Sequence, residues 1–231
     1  MKTLRKISLL ATVLILNLTL TVSCQKEETK TLPTGDEKNS TATNAATTNC
    51  ACVVNPSDTI TQAEIDMLNY MREEEKLARD VYLAMYEQYG IPIFRNISKS
   101  EQHHMNQVLC LLQHYNLPDP ASADTGVFNN SELQQLYSDL ISQGSISLTG
   151  ALTVGATIED KDIYDLATDM TNTVNPAILN IFGKLSCASG NHIRSFSAWL
   201  TNKGITYEPQ YISQEEYNAI IALPHQFCGG Q

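Results

Sequence analysis

Residues 68–89, LNYMREEEKLARDVYLAMYEQY, place a glutamate in the middle of an apolar helical stripe. The stripe advances in alternating steps of three and four residues, the spacing by which one helix of a bundle packs on its neighbours. Its members are Leu68, Met71, Glu75, Ala78, Tyr82, Met85 and Tyr89. Because a buried carboxylate without a partner is costly, Glu75 needs a cation or a shared proton beside it.

Three further stripes have the same spacing and are interrupted by polar side chains in the same way. They are Phe94, Ile97, Glu101, His104, Val108, Leu111 and Tyr115; Leu152, Ala156, Glu159, Ile163, Leu166 and Met170; and Phe182, Leu185, Ser189, His192, Phe196 and Trp199. Acidic and imidazole groups on four converging helices predict a metal site inside a four-helix bundle.

Turn and cap residues predict where the helices begin and end. Long helices are expected from near Thr61 to Tyr89, from Pro92 to about Tyr115, from Ser147 to Met170, and from the Asn175 cap to Asn202, with short ones over 131–143 and near 214–221. The connection over residues 117–146 is long, whereas those inside each helix pair are short. Two hairpins joined by one long crossover predict an all-α, ferritin-like bundle.

The N-terminal quarter predicts export rather than a folded domain. Residues 1–23 combine a basic start with an apolar run and resemble a bacterial lipoprotein signal peptide that ends before Cys24, the expected lipidation site. A plain secretory signal with an incidental cysteine is the alternative. Residues 24–58 are polar and predict a flexible tether. The bundle should occupy residues 59–204, and residues 205–231 should form a tail with one short helix.

These features predict a protein that is anchored in the membrane through the lipid on Cys24 and faces the periplasm or the cell surface. The formal net charge of −10 argues against nucleic acid as a partner. No phosphate-binding glycine-rich loop and no strand-framed serine nucleophile occur in the sequence. The oligomeric state is left open.

Five cysteines remain besides Cys24, and their pairing is open. A bridge from Cys50 or Cys52 to Cys228 would join the two ends of the folded part. Cys110 and Cys187 fall on predicted helices and are expected to be small buried hydrophobic residues.

The polar residues of the four stripes form a plausible ligand set. Glu101-Gln102-His103-His104 contains Glu-x-x-His, whose first and last side chains share one face of a helix. With Glu75, Glu159 and His192 they give five candidate ligands for one or two transition-metal ions. Carboxylate and imidazole groups suit iron, our first choice, and also manganese or zinc.

Several strings resemble known proteins. Residues 94–104 are similar to the second helix of rubrerythrin, a member of the ferritin-like superfamily. The strings at 72–82, 100–105 and 191–196 resemble the DUF2202 domain family, a ferritin-like group without an established activity, over roughly residues 60–222. The resemblance implies metal ligands at the five positions above. Members with two complete motifs carry glutamate where this chain has Ser189, which implies a weaker second metal position.

Other interpretations of these residues exist. Ser98 and Glu101 fit a capping box at the start of a helix, and Glu75 could simply pair with a nearby base. Glu73, Glu74 and Asp162 are expected to face solvent, although Asp162 could turn inward as a substitute ligand. Non-ligand roles are expected for His103, His114 and His225, and core-aromatic roles for Tyr82, Tyr89 and Tyr115.

Two functions of different classes follow. The first is a metal-dependent redox protein that handles oxygen, peroxide or iron at the cell envelope. The second is a non-enzymatic envelope binding module, in which the polar seam is a proton-sharing network or a vestigial site. Metal content and its loss in Glu101→Ala separate the two.

Overall fold

The computed structural model describes residues 59–229, which form six helices. They are α1 (Gln62–Tyr89), α2 (Pro92–His114), α3 (Ser131–Gly144), α4 (Leu148–Thr171), α5 (Pro176–Thr201) and α6 (Gln214–Ala222). This range contains no strand. The all-α helical bundle is therefore confirmed, and the helix bounds lie close to those expected. The predicted signal peptide and the whole predicted tether, with Cys24, lie outside the described residues and stay predictions.

The helix ends are set by the cap residues that the sequence supplies. Thr61 and Glu64 form a capping box at the start of α1, in which each side chain bonds the other residue's backbone N–H. Gly90 follows α1 in the left-handed region with φ 66°, a conformation that suits glycine. At the start of α5 the Asn175 side chain accepts hydrogen bonds from two backbone N–H groups, and Pro176 occupies the first turn.

Contacts along the helices define their relative directions. In α1 and α2, Tyr86 meets Arg95 near the turn and Glu75 meets His104 further away, so these helices are antiparallel. The same test gives antiparallel α4 and α5, where Glu159 pairs with His192 and Asp162 with Ser189.

Helix α1 also runs antiparallel to α4. Tyr82, late in α1, bonds the carbonyl of Gly155 early in α4, whereas Glu64 at the start of α1 bonds Thr173 beyond the end of α4. It follows that α2 and α4 are parallel. The chain must therefore travel the length of the bundle between them, and the segment that contains α3 does so.

Charged side chains of α1 hold this crossover in place. Arg72 makes a two-point ion pair with Asp119, at 3.0 and 2.8 Å. The Glu73 carboxylate accepts hydrogen bonds from the backbone N–H groups of Asn129 and Asn130, just before α3. The expectation that Glu73 faces solvent is wrong, because the crossover covers it.

Lys76 and Asp80 form a second anchor that is fully buried. Their side chains are 2.7 Å apart and have no exposed surface. The Lys76 ammonium also donates to the carbonyls of Asp124 and Val127, and Asp80 accepts from the backbone N–H of Gly126. The crossover thus supplies the polar groups that a buried ion pair requires.

Glu74, also expected in solvent, is likewise buried. It receives a hydrogen bond of 2.7 Å from Lys161 of α4, which also donates to the Tyr70 hydroxyl and to Asp165. The charged run that begins at Arg72 is therefore a set of contacts with the crossover and α4 rather than a solvated face.

The apolar core consists of two clusters. One contains Val81, Tyr82, Phe94, Leu152, Ile193 and Phe196, and the other contains Leu68, Met71, Leu111, Leu166, Phe182 and Leu185. On each of the four long helices, the polar residues of the stripe fall between the residues of these clusters. At Gly155 a Cβ atom would lie 2.4 Å from the Phe196 ring, so glycine allows α4 and α5 to approach closely. The stripe of α5 ends on buried Leu200 rather than Trp199, which is 37% exposed.

The tail is attached to the bundle at several points. Asp160 of α4 accepts hydrogen bonds from the Tyr207 hydroxyl and from the backbone N–H groups of residues 210–212. A disulfide joins Cys187 to Cys228, so the expectation that Cys187 is a free hydrophobic residue is wrong. Cys228 accordingly does not pair with Cys50 or Cys52. Cys110 is buried as expected but is also disulfide-bonded.

Between residues 59 and 229, no helix combines the length and the apolar character that crossing a bilayer requires.

Candidate metal centre

The polar residues of the four stripes meet in one layer between the two apolar clusters. Glu75 comes from α1, Glu101 and His104 from α2, Glu159 from α4 and His192 from α5. The three carboxylates are each 2% exposed. All five predicted ligands are thus brought together inside the bundle, where four are buried and the His192 side chain is 11% exposed.

One group of three surrounds the His104 ring. Its Nδ1 atom lies 2.7 Å from Glu101 Oε2 and 3.2 Å from Glu75 Oε2. The three side chains offer ligand atoms that all lie within 4.8 Å of one another. Glu75 Oε1 is buried and has no hydrogen-bond partner.

A second group of three surrounds the His192 ring. Its Nδ1 atom lies 3.0 Å from Glu101 Oε1 and 3.3 Å from Glu159 Oε2. The contact with Glu101 Oε1 lacks hydrogen-bond geometry, and that oxygen is also without a hydrogen-bond partner. Glu101 belongs to both groups and turns one oxygen to each.

A fourth acidic group, Asp162, joins this layer. Its side chain is buried and accepts a hydrogen bond from the Ser189 hydroxyl across the α4–α5 interface. The other oxygen, Oδ1, is buried without a hydrogen-bond partner. The expectation that Asp162 faces solvent is wrong. The signal that could have found it is its spacing of three residues from Glu159, which places both on one helical face.

The two histidines favour their protonated forms in the metal-free site. Burial acts to lower the pKa of His192, but Glu101 and Glu159 outweigh it and raise the pKa to about 10. Burial likewise opposes the charge on His104, whose pKa is nonetheless held well above its ordinary value by Glu75 and Glu101. A metal ion that binds the Nδ1 atom of either histidine must displace its proton.

The carboxylates divide into one ionised group and several that resist ionisation. Burial acts to raise the pKa of Glu101, but His192 and His104 overcome it and hold the pKa well below its usual range. Burial raises the pKa of Glu75 to about 8 and also raises those of Glu159 and Asp162. Protons therefore neutralise part of the acidic layer when no other cation is present.

Tyr82 lies at one edge of the layer and is fully buried. Its hydroxyl donates a hydrogen bond of 2.5 Å to Glu159 Oε1, while its ring packs 5.4 Å from the ring of Phe196. It is a core aromatic residue, as expected, and it also orients one carboxylate of the site. Tyr89 and Tyr115 are only partly buried.

The position of α2 decides the capping-box alternative for Glu101. Helix α2 begins at Pro92 with Ile91 as its cap residue, so Glu101 lies in its interior and the capping-box interpretation is wrong. The Ser98 hydroxyl donates to the carbonyl of Arg95 instead. Neither His103, His114 nor His225 belongs to either group of three.

The residues present fit a divalent transition metal. Two groups of carboxylate and imidazole donors share Glu101. Three carboxylate oxygens of this layer are buried without hydrogen-bond partners: Glu75 Oε1, Glu101 Oε1 and Asp162 Oδ1. Such oxygens are costly in a core and are the atoms that a cation would satisfy. The donor set matches the preferences of iron, manganese and zinc.

Fold and site together define a helical-bundle protein with a buried carboxylate–histidine cluster. Within that class, the chain belongs to the DUF2202 family, described as an uncharacterised protein domain, which matches residues 64–224.

A relative and a solved structure support this assignment. The chain is 48% identical over 168 residues to the uncharacterised protein MJ0754 of Methanocaldococcus jannaschii, covering 72% of this chain and 91% of the relative. The crystal structure of the hypothetical protein MJ0754 superposes with a TM-score of 0.73 at 46% identity, covering 74% of this chain and 99% of that chain.

Proposed function

We propose that this protein binds one or two transition-metal ions, iron first, in the layer between α1, α2, α4 and α5. The observation that carries the proposal is Glu101, whose two oxygens face two separate histidine-containing groups. His104 and Glu75 would complete one position, and His192 and Glu159 the other.

The connectivity of the bundle supports a ferritin-like assignment. Helices α2 and α4 run parallel and are joined by the long segment that contains α3, the arrangement of bundles with one crossover. Di-metal proteins of that class take one glutamate from each of two helices and Glu-x-x-His from each of the other two. This chain follows the pattern except at Ser189, the position three before His192.

In this proposal, Asp162 replaces the glutamate carboxylate that is absent at position 189. It approaches the same point from α4 and has one oxygen free of hydrogen bonds. In this proposal Ser189 holds the Asp162 side chain, and Asp162 supplies the acidic group. The second position would then hold a metal with a carboxylate one methylene shorter than glutamate.

We propose redox work at the cell envelope, with oxygen, peroxide or iron as the substrate. Bound iron would supply one-electron exchange between Fe(II) and Fe(III). The buried carboxylates would hold the ion. The apolar clusters on both sides of the layer would limit the access of water to it. Tyr82 would fix the orientation of Glu159 through its hydroxyl.

Elemental analysis of the full chain, purified without added metal, tests the proposal. We expect near-stoichiometric iron or manganese that is lost in Glu101→Ala, because that change removes a ligand from both groups. Glu87→Ala is the matched control, since Glu87 lies on α1 and faces solvent. Metal-free wild-type protein that also fails to take up Fe(II) or Mn(II) would refute the proposal.

A non-enzymatic binding module is the second candidate, and one observation favours it. Each imidazole already lies within 3.3 Å of two carboxylates, so shared protons could neutralise part of the layer without a metal. Under this alternative, purified protein would contain no metal, and neither the wild type nor Glu101→Ala would take up Fe(II) or Mn(II).

We also propose export and lipid anchoring at Cys24. The Cys187–Cys228 disulfide supports export, because stable disulfides are typical of oxidising compartments. Metabolic labelling with a radioactive fatty acid should mark the wild-type chain and leave Cys24→Ala unlabelled. Equal labelling of both chains would contradict anchoring at this residue.

A further inference from the structure

The hydroxyl of Ser100 lies between the outer nitrogens of the two site histidines. Ser100 Oγ is 3.1 Å from His192 Nε2 and 3.4 Å from His104 Nε2. The two rings are stacked with their centroids 5.7 Å apart. One side chain of α2 therefore contacts an imidazole of its own helix and one of α5.

We infer that Ser100 is a positioning residue that fixes both imidazoles for metal binding; this inference rests on the proposed function. Each ring turns Nδ1 toward the carboxylates and Nε2 toward Ser100. For Nδ1 to bind a metal, it must carry no proton, and the ring proton must then sit on Nε2.

A hydroxyl has the hydrogen-bonding capacity to hold two imidazole rings. A serine oxygen has two lone pairs and can accept hydrogen bonds from two Nε2–H groups at once. Metal-bound histidines usually donate their outer N–H to a carboxylate or carbonyl partner of their own. Here one neutral acceptor serves two rings, so both metal positions depend on the same side chain.

Among the described residues, Ser100 is the side chain that contacts the Nε2 atoms of both rings. The carboxylates of Glu75, Glu101 and Glu159 all approach the Nδ1 side of the rings. The hydroxyl of Ser98, two residues earlier on α2, donates its hydrogen bond to the carbonyl of Arg95 in the same helix. Loss of the Ser100 hydroxyl would therefore free both rings to rotate or to move the proton.

Cobalt(II) titration of the metal-free full chain, followed by d–d absorption and chelator competition, tests the inference. Ser100→Ala should lower the Co(II) affinity by about 10- to 100-fold and change the absorption bands, because loss of the hydrogen-bond partner of a metal-binding histidine has effects on this scale. Ser100→Thr, which keeps the hydroxyl, should restore most of the affinity. Ser98→Ala is the matched control and should match wild type. Equal affinity and spectra in Ser100→Ala would overturn the inference.

A second readout needs no metal and separates this inference from the proposed function. In the metal-free chain, the ring Nε2–H protons of His104 and His192 should exchange slowly with water in NMR spectra. Ser100→Ala should speed their exchange about tenfold or more, because the hydrogen-bond acceptor is lost. If exchange is slower in the wild type than in Ser100→Ala but the wild type binds no Co(II), Fe(II) or Mn(II), the metal proposal is refuted and the positioning contact is supported. Unchanged exchange in Ser100→Ala would refute the contact itself.

Discussion

The Ser189 hydroxyl donates a hydrogen bond to the Asp162 carboxylate at the centre of the bundle. Position 189 is where the second Glu-x-x-His motif would carry its glutamate. An acidic group thus comes from α4 instead of α5, and the layer contains four carboxylates, those of Glu75, Glu101, Glu159 and Asp162. Asp162 adds an acidic group beside the two groups of donor residues, neither of which includes it.

Asp162 should matter for metal binding far more than for folding. We expect Asp162→Asn to weaken binding of the second metal equivalent by about tenfold or more, the range seen when a supporting group of a metal site is removed. The metal-free melting temperature should change little, because an amide has nearly the shape of the protonated acid that burial favours. Asp139→Asn, on the exposed face of α3, is the control. Stepwise Co(II) titration and thermal melting measure both effects, and unchanged metal binding would contradict the assignment.

The metal-free protein should lose stability as the pH rises from 7 to 10. The pKa values of Glu75, about 8, and His192, about 10, both lie above their values in the unfolded chain. A raised pKa stabilises the fold while the group keeps its proton, and this contribution disappears as the pH passes through the folded-state pKa. A loss of about 2 kcal/mol would lower the melting temperature by about 4–8 °C in a domain of this size.

Glu75→Gln tests which groups cause that pH effect. The amide cannot ionise, so the melting temperature of this variant should fall less than that of the wild type up to the Glu75 pKa of about 8. The further fall toward pH 10 should persist, because it belongs to His192. Glu87→Gln, on the exposed side of the same helix, should keep the wild-type slope. Parallel slopes for wild type and Glu75→Gln would show that the effect arises elsewhere.

The buried Lys76–Asp80 pair should be essential for the crossover. Lys76→Met leaves Asp80 without its ammonium partner and removes the donors to the carbonyls of Asp124 and Val127. Loss of one member of a buried ion pair costs about 3–5 kcal/mol. Urea unfolding should show a loss of that size, whereas exposed Lys203→Met should match wild type. A loss below about 1 kcal/mol would contradict this role, because surface substitutions have effects of that order.

The Cys187–Cys228 disulfide should stabilise the whole domain through the unfolded state. It closes a segment with a sequence separation of 41 residues. The double variant Cys187→Ala/Cys228→Ala should lose about 2–4 kcal/mol in urea unfolding, because the unfolded chain regains the entropy of that loop. The variant avoids reducing agents, which would also attack the disulfide of Cys110. If the wild type and the double variant unfold at equal urea midpoints, the disulfide stabilises the tail alone and not the whole domain.

The helices and most of the site could be predicted because their signals are local. Stripes of three and four residues identify the buried faces, and caps such as Thr61 and Asn175 fix the helix ends. A polar residue inside an apolar stripe, such as Glu75, is conspicuous for the same reason. Four such interruptions together indicated one shared site.

The errors concern charges whose burial depends on distant segments. Glu73 is covered by the crossover, some fifty residues away along the chain, and no local pattern indicates that cover. Asp162 stands in a charged turn and faces inward only because α5 packs on that side. The pairing of Cys187 with Cys228 likewise depends on where the tail returns.

Anomalous diffraction from crystals of the full chain grown with Fe(II), recorded at the iron edge, tests the central claim most directly. The account predicts at least one strong peak within about 2.0–2.3 Å of a Glu101 oxygen and of Nδ1 of His104 or His192, the range of metal–ligand bonds to nitrogen and oxygen. A map without a peak in this layer, with His104 and His192 still paired only to carboxylates, would contradict it.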